Sequence, residues 1–102
     1  MFLHIISAQY VDRYKIKIKF NNQGEGIADL STSLQGRVFE PLQDLAMFQK
    51  FTVDTELGTI VWENGADFAP EYFYFLAFRD VPELQDQFHK WGYLPSKVTV
   101  EV

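Results

Sequence analysis

Residues 58–78 have the sequence GTIVWENGADFAPEYFYFLAF, and this segment decides the fold of the chain. The run from Thr59 to Trp62 is β-branched and aromatic, which is typical of a strand. Asn64 and Gly65 both tolerate positive φ, so the pair predicts a tight turn after that strand. Pro70 has the fixed φ and the missing N–H that suit the first turn of a helix. We therefore predict a strand, a turn and a helix, in that order.

The helix after Pro70 has to be argued, because the run from Tyr72 to Phe78 is also apolar enough for a buried strand. Two carboxylates, together with the proline, favour the helix. Asp67 is a candidate N-cap, and Glu71 places negative charge near the positive end of the helix dipole. A helix from Glu71 to Arg79 is apolar on nearly every side, so the rest of the fold or another chain has to cover it.

The N-terminal part of the chain has the pattern of an antiparallel meander. Three strands are predicted, at Leu3–Tyr10, Tyr14–Phe20 and Glu25–Leu30. The middle strand alternates with period two, so that its isoleucines and rings lie on one face and its three lysines on the other. Because lysines are solvated, one face of this sheet is expected to contact water and the other to contact the core.

Three further elements complete the predicted fold. Pro41–Lys50 has apolar residues at helical spacing and predicts one helix, or two short ones joined near Asp44, a candidate cap for the second. Phe51–Asp54 is predicted to pair with the strand at Thr59 as a hairpin. Asp80–Lys90 predicts another helix, with Gly92 just past its end.

The predicted fold class is α+β. A mostly antiparallel sheet, made of the N-terminal meander and the hairpin, carries two or three helices packed on one face. The chain has 102 residues, of which 47% are hydrophobic and 17% aromatic, so a single domain over residues 1–102 is expected. In this division residues 1–78 form the core, and residues 79–102 add a helix and, in the alternating Lys97–Val102, a strand.

Four short patterns in this order resemble a known bacterial family, Domain of Unknown Function 2442. They are an F-x-x-x-G-x-x-x-x-D-L pattern at Phe20–Leu30, the run Val38–Leu42, the strand entry Phe48–Val53 and the run Gly58–Asp67. The resemblance covers Leu3 to about Phe78. It implies a small α+β domain with no established activity and no catalytic residues to carry over. It also implies partnership with a neighbouring small protein, in the manner of toxin and antitoxin pairs.

Composition excludes several classes of site. The chain has no cysteine, so it has no disulfide framework, thiolate metal site or cysteine nucleophile. His4 and His89 are far apart in sequence, and a zinc site uses at least three protein ligands, so we expect neither metal nor cofactor. No signal peptide or run of membrane length is recognisable, so we expect a cytoplasmic protein with no membrane partner.

One candidate site is the predicted turn and helix start. We call it the hub site, and it consists of Trp62, Glu63, Asn64, Asp67 and Glu71. Its carboxylates recur every four residues, which general acid/base catalysis or a hard cation would use. The same carboxylates also suit structural roles, as a helix cap, a partner of the helix dipole and a solvated turn residue. A small-ligand binder or enzyme that uses these carboxylates is therefore one alternative function.

A second candidate site is a basic patch of Arg13, Lys15, Lys17 and Lys19. On a flat sheet these side chains could contact nucleic-acid phosphates or an acidic protein. The pattern favours the solvated face of an antiparallel strand instead, because no exposed aromatic residue alternates with the lysines as binding of single-stranded nucleic acid would require. The net charge of −5 is uneven: residues 1–53 have six bases and five acids, and residues 54–102 have three bases and nine acids. The acidic second half argues against general affinity for nucleic acid.

A third candidate site is an aromatic interface in the C-terminal half. A short chain has limited interior for all its rings, so some are expected at the surface, where a protein partner or a second copy would cover them. The predicted interface consists of Phe75, Phe78, Phe88, Trp91, Val98 and Val100. On these grounds we predict a non-enzymatic interaction module, with the enzyme and nucleic-acid alternatives left open. The family resemblance implies that this module is regulatory, as the antitoxin-like partner of a neighbouring small protein.

Overall fold

The computed structural model describes residues 2–94 and has the predicted α+β architecture. Its strands are β1 (Ile5–Asp12), β2 (Lys15–Phe20), β3 (Glu25–Asp29), β4 (Phe51–Asp54) and β5 (Thr59–Trp62). Its α-helices are α1 (Leu45–Phe48), α2 (Pro70–Phe78) and α3 (Gln85–Trp91), and 3-10 turns at Glu40–Gln43 and Pro82–Leu84 precede α1 and α3. The strand predicted at Lys97–Val102 lies outside the described residues.

The N-terminal meander is confirmed, with β1, β2 and β3 antiparallel in sequence order. Ile16, Ile18 and Phe20 of β2 are fully buried, whereas the three lysines between them are exposed. This alternation fixes which face of the sheet contacts the core, because a shift of one residue would exchange the two sets. The core face is covered by α2 and by aromatic side chains from the rest of the chain.

The second sheet is the predicted hairpin of β4 and β5, in which Phe51 pairs with Trp62. Its turn is closed by the Asp54 carboxylate, which accepts backbone N–H bonds from Glu56 and Leu57 at 2.9 Å each. A backbone bond of 2.8 Å from the Ile5 N–H to the carbonyl of Gly58, the last residue of the turn, connects the hairpin to β1.

Two helix predictions are confirmed in detail. Helix α2 begins at Pro70, and Glu71 lies in its first turn. The segment before β4 forms two short helical pieces, and the Asp44 carboxylate accepts the Ala46 N–H at 2.9 Å as the cap of α1. Among residues 2–94 no helix is long and apolar enough to cross a membrane.

The helix predicted at Asp80–Lys90 is divided differently from the prediction. The structure has a 3-10 turn from Pro82 and then α3 from Gln85, because a proline without an N–H suits only the start of a helical segment. Gly92 ends α3 in the left-handed conformation, with φ of 87°, as predicted.

Candidate functional site

Trp62, the centre of the predicted hub site, is part of the core. Its side chain is 2% exposed, and its indole Nε1 donates a hydrogen bond of 2.8 Å to the Phe48 carbonyl. The indole also packs near the rings of Phe48 and Phe73, with ring centroids 5.7 Å and 6.4 Å away. Trp62 therefore ties β5 to α1 and α2 and presents almost no surface to a ligand.

The turn after β5 depends on one residue with positive φ. Gly65 has φ of 87° and donates its N–H to the Trp62 carbonyl at 2.9 Å, whereas the φ of Asn64 is not positive. Asn64 acts through its side chain: its Oδ1 accepts the Ala66 N–H at 3.1 Å, and its Nδ2 donates to the Val38 carbonyl at 2.9 Å. Asn64 therefore fastens the turn to the loop before the first 3-10 turn.

The prediction that Asp67 caps α2 is wrong. The residue at the cap position is Ala69, and no side chain accepts a hydrogen bond there. Asp67 instead forms an antiparallel β-bridge with Val61, and its side chain is exposed. Val61 already pairs with Thr52 of β4, so the bridge adds one pair on the opposite edge of β5 and holds Asp67 there, two residues before the cap position at Ala69.

Removing the Asp67 side chain should destabilise the protein less than removing the Asp44 side chain. Asp67→Ala is expected to change the free energy of unfolding by less than about 0.5 kcal/mol, because it removes an exposed side chain with no capping role. Asp44→Ala removes a real cap and is expected to cost about 1 kcal/mol. Urea unfolding of both variants measures this, and a larger loss for Asp67→Ala than for Asp44→Ala would contradict it.

Glu71 lies beside a tyrosine rather than beside the other hub carboxylates. Burial raises the pKa of Tyr93 above its ordinary value of 10.0, and the nearby Glu71 carboxylate and Tyr72 hydroxyl raise this pKa further. In the part of the chain that the structure describes, no three His, Asp or Glu side chains form a group that could hold a metal ion. The three hub carboxylates thus do not converge on one point.

A second prediction follows from the raised Tyr93 pKa. The pKa is higher in the folded than in the unfolded chain, so above about pH 10 the unfolded chain loses this proton first and stability falls as the pH rises. The free energy of unfolding should therefore fall less steeply above pH 10 in Tyr93→Phe than in the wild type. Glu71→Gln should show an intermediate slope. Identical slopes in denaturant titrations of all three proteins would contradict the prediction.

The basic patch is compensated by carboxylates, which the strand register places beside it. On the outer face of the meander, Lys15 lies between Asp12 of β1 and Asp29 of β3, its partners in the two neighbouring strands. Both carboxylates are exposed on the same face. Arg13 lies in the turn between β1 and β2, and it lines a small cleft with Lys15 and Asp29.

The other two lysines of the row share one carboxylate. Lys19 lies opposite Glu25 in the register of β2 and β3, and the Lys17 Nζ atom is 3.6 Å from the Glu25 Oε2 atom. The face therefore alternates in sign and has no continuous basic stripe. A phosphate backbone bound across it would meet Glu25 and the neighbouring aspartates as well as the lysines.

A cleft that the sequence did not predict lies between the N-terminal segment and α3. We call it the aromatic cleft; its volume is about 330 Å³, and it is lined by Phe2, Leu3, Asn21, Asn22, Tyr74, Leu84, Gln87 and Trp91. Phe2 stands at its edge with 91% of its side chain exposed. The sequence around Phe2 does not predict that this residue lines a cleft, because the cleft forms only where the two ends of the described chain meet.

A second cleft adjoins the first. It has a volume of about 320 Å³, lies beside the turn of the β4–β5 hairpin and is lined by Phe2, Leu3, His4, Thr55, Glu56, Leu57 and Gly58; we call it the hairpin cleft. Phe2 and Leu3 line both clefts, so the two clefts meet at these residues. Leu57, which is 59% exposed, lines the hairpin cleft, and Trp91 lines the aromatic cleft.

The predicted aromatic interface is only partly at the surface. Phe75 and Phe88 are buried in the monomer, in contact with each other at a centroid distance of 5.2 Å, and Phe78 and Trp91 are half-buried. Val98 and Val100 lie outside the described residues. Of these six residues, Trp91 lines the aromatic cleft, and Phe78 lines a separate cleft beside β3.

A family model described as "Protein of unknown function (DUF2442)" matches residues 5–86, which include β1 to β5, α1 and α2. No curated protein and no solved structure matches the chain.

Proposed function

Because this chain belongs to the DUF2442 family of proteins of unknown function, we propose its role from its own surface: a non-enzymatic module that binds another protein chain through the aromatic cleft. The observation that carries the proposal is the position of Phe2. Phe2 is 91% exposed and lines the cleft together with the half-buried Trp91, and the other apolar residues of the cleft include Leu3 and Leu84.

Aromatic side chains at the rim of an apolar cleft support protein binding for a physical reason. An exposed phenylalanine ring gains free energy when a partner removes it from water, and aromatic residues dominate the energies of interface centres. The exposed amide side chain of Gln87 at the same cleft offers hydrogen bonds for orientation, whereas the Asn22 amide is already bonded to the Tyr74 hydroxyl and the Gly24 N–H.

The enzyme alternative has less support. Trp62 is buried in the core, and the Asn64 amide holds the turn. Among the described residues, no three His, Asp or Glu side chains form a cluster that could hold a metal ion. Neither Glu63 nor Asp67 lines the aromatic cleft. The nucleic-acid alternative has less support as well, because Asp12, Glu25 and Asp29 lie opposite lysines of the row in the strand register and would repel a phosphate backbone.

The regulatory part of the proposal rests on the family resemblance. The partner is then a neighbouring small protein, and this chain restrains it as an antitoxin does. Co-expression with the protein encoded beside it tests this: growth should recover with the wild-type chain and fail to recover with Phe2→Ala. If the neighbouring protein is harmless alone, the antitoxin-like role is excluded and the binding role is unaffected.

Purification from the native host tests the binding role. The tagged wild type is expected to retain one identifiable protein, which Phe2→Ala loses. Ile27→Ala is the control, because Ile27 is also an exposed apolar residue, at 48%, and it lies on the outer face of the meander. Equal recovery of the same proteins with Phe2→Ala and with wild type would contradict the proposal.

A further inference from the structure

We infer that the partner contacts the aromatic and hairpin clefts with an amphipathic segment in which lysines or arginines flank apolar side chains. This inference rests on the proposed binding role and specifies the chemistry of its ligand. It follows from three features of the joined clefts: their length, their fixed N-terminal wall and the sign of the charges around them.

The length of the surface suits a segment of chain rather than a single side chain. The clefts meet at Phe2 and Leu3, and their apolar lining includes Leu57 in the hairpin cleft and Leu84 and Trp91 in the aromatic cleft. Each cleft has a volume of about 320–330 Å³. An amphipathic helix binds such a groove with apolar side chains repeated along one face.

The N-terminal wall is held in place before any partner binds. The Asn21 side chain donates to the Phe2 carbonyl at 2.8 Å and accepts the His4 N–H at 2.9 Å. The backbone N–H of Asn21 also donates to the His4 carbonyl at 2.9 Å. The exposed Phe2 ring therefore stands on an anchored backbone, which reduces the entropy that binding has to remove.

The charges around the clefts favour a basic ligand. Glu56 lines the hairpin cleft, and no lysine or arginine is among the residues that line either cleft. Next to the aromatic cleft, the exposed Glu83 precedes Leu84 and the exposed Lys90 precedes Trp91, so these two charges offset each other and Glu56 leaves the surface acidic. Residues 54–94, which supply the hairpin turn and α3, have eight acids and two bases. A second copy would bring the same acidic surface and be repelled, whereas a basic segment would be attracted.

The test uses a synthetic peptide of leucine and lysine with the leucines at helical spacing. A control peptide has the same sequence with glutamate in place of every lysine. Binding to the full chain is followed by amide NMR shifts and by fluorescence anisotropy of labelled peptide. We expect the lysine peptide to shift the signals of Leu3, Asn21, Gln87 and the Trp91 indole. The glutamate peptide should bind at least about tenfold more weakly.

Matched variants locate the site. Phe2→Ala and Leu57→Ala are each expected to weaken binding of the lysine peptide about tenfold, and Ile27→Ala to change it less than twofold. These three side chains are 91%, 59% and 48% exposed, so the fold should tolerate all three changes. Glu56→Gln should weaken binding more than Glu63→Gln, which removes the same charge at an exposed turn outside both clefts.

Several results would overturn the inference. Equal affinity for the two peptides excludes a basic ligand, and equal losses for Ile27→Ala and Leu57→Ala exclude this surface. A dimer in light scattering that Phe2→Ala dissociates makes a second copy the occupant.

If a host protein is retained in a Phe2-dependent way while the lysine peptide does not bind, the inference fails and the proposed binding role stands. If the peptide binds at the cleft and no host protein depends on Phe2, the inferred chemistry stands and the proposed role fails.

Discussion

Replacing Trp62 by alanine is expected to lower the free energy of unfolding by about 3–5 kcal/mol. The indole is 2% exposed and fills the space between β5, α1 and α2, so its removal leaves a cavity that the rigid hairpin cannot close. It also leaves the Phe48 carbonyl without the 2.8 Å bond from Nε1. A domain of this size has a total stability of about 5–15 kcal/mol, so the variant should be largely unfolded in mild urea.

Trp62→Phe separates the cost of the lost hydrogen bond from the cost of the cavity. It keeps an aromatic ring in the core but removes the N–H, and it should cost about 1–3 kcal/mol for the unpaired Phe48 carbonyl together with the smaller ring. Trp91→Phe is the control, because Trp91 is half-buried and its change should cost less. Denaturant unfolding followed by circular dichroism measures all three variants. A Trp62→Ala protein as stable as Trp91→Phe would show that the indole does not hold the core together.

Gly58→Ala is expected to cost about 2–5 kcal/mol, for two reasons that add. Gly58 has φ of 70°, a left-handed conformation that costs a residue with a Cβ about 1–2 kcal/mol. A Cβ at this position would also lie 2.6 Å from the Cβ of His4, where carbon atoms prefer about 3.5–4.0 Å, and overpacking of this kind costs about 1–3 kcal/mol.

Gly65→Ala isolates the conformational part of that cost. Gly65 has φ of 87°, and a Cβ there would have no atom within 4 Å, so about 1–2 kcal/mol is expected. Since the His4 segment also carries Phe2, Gly58→Ala should weaken binding at the aromatic cleft while Gly65→Ala leaves it unchanged. Equal losses of stability in the two variants would show that His4 moves aside without cost.

The sequence by itself determined the elements whose signals lie within a few residues of each other. Pro70 predicted the start of α2, Asp44 the cap of α1, Gly65 the turn after β5 and Gly92 the end of α3. The alternation of β2 predicted its buried face. These predictions succeeded because backbone preferences, caps and period-two burial act locally.

Only the tertiary structure decided which side chains meet across the chain. Asp67 lost its predicted capping role because Val61, on a neighbouring strand segment, pairs with its backbone. The register of three strands places carboxylates opposite the lysines of the basic patch. The packing of the chain ends places Phe2 and Trp91 in the same cleft. Exposure and charge pairing depend on residues far apart in sequence, and their positions are set by how the whole core packs rather than by any local preference.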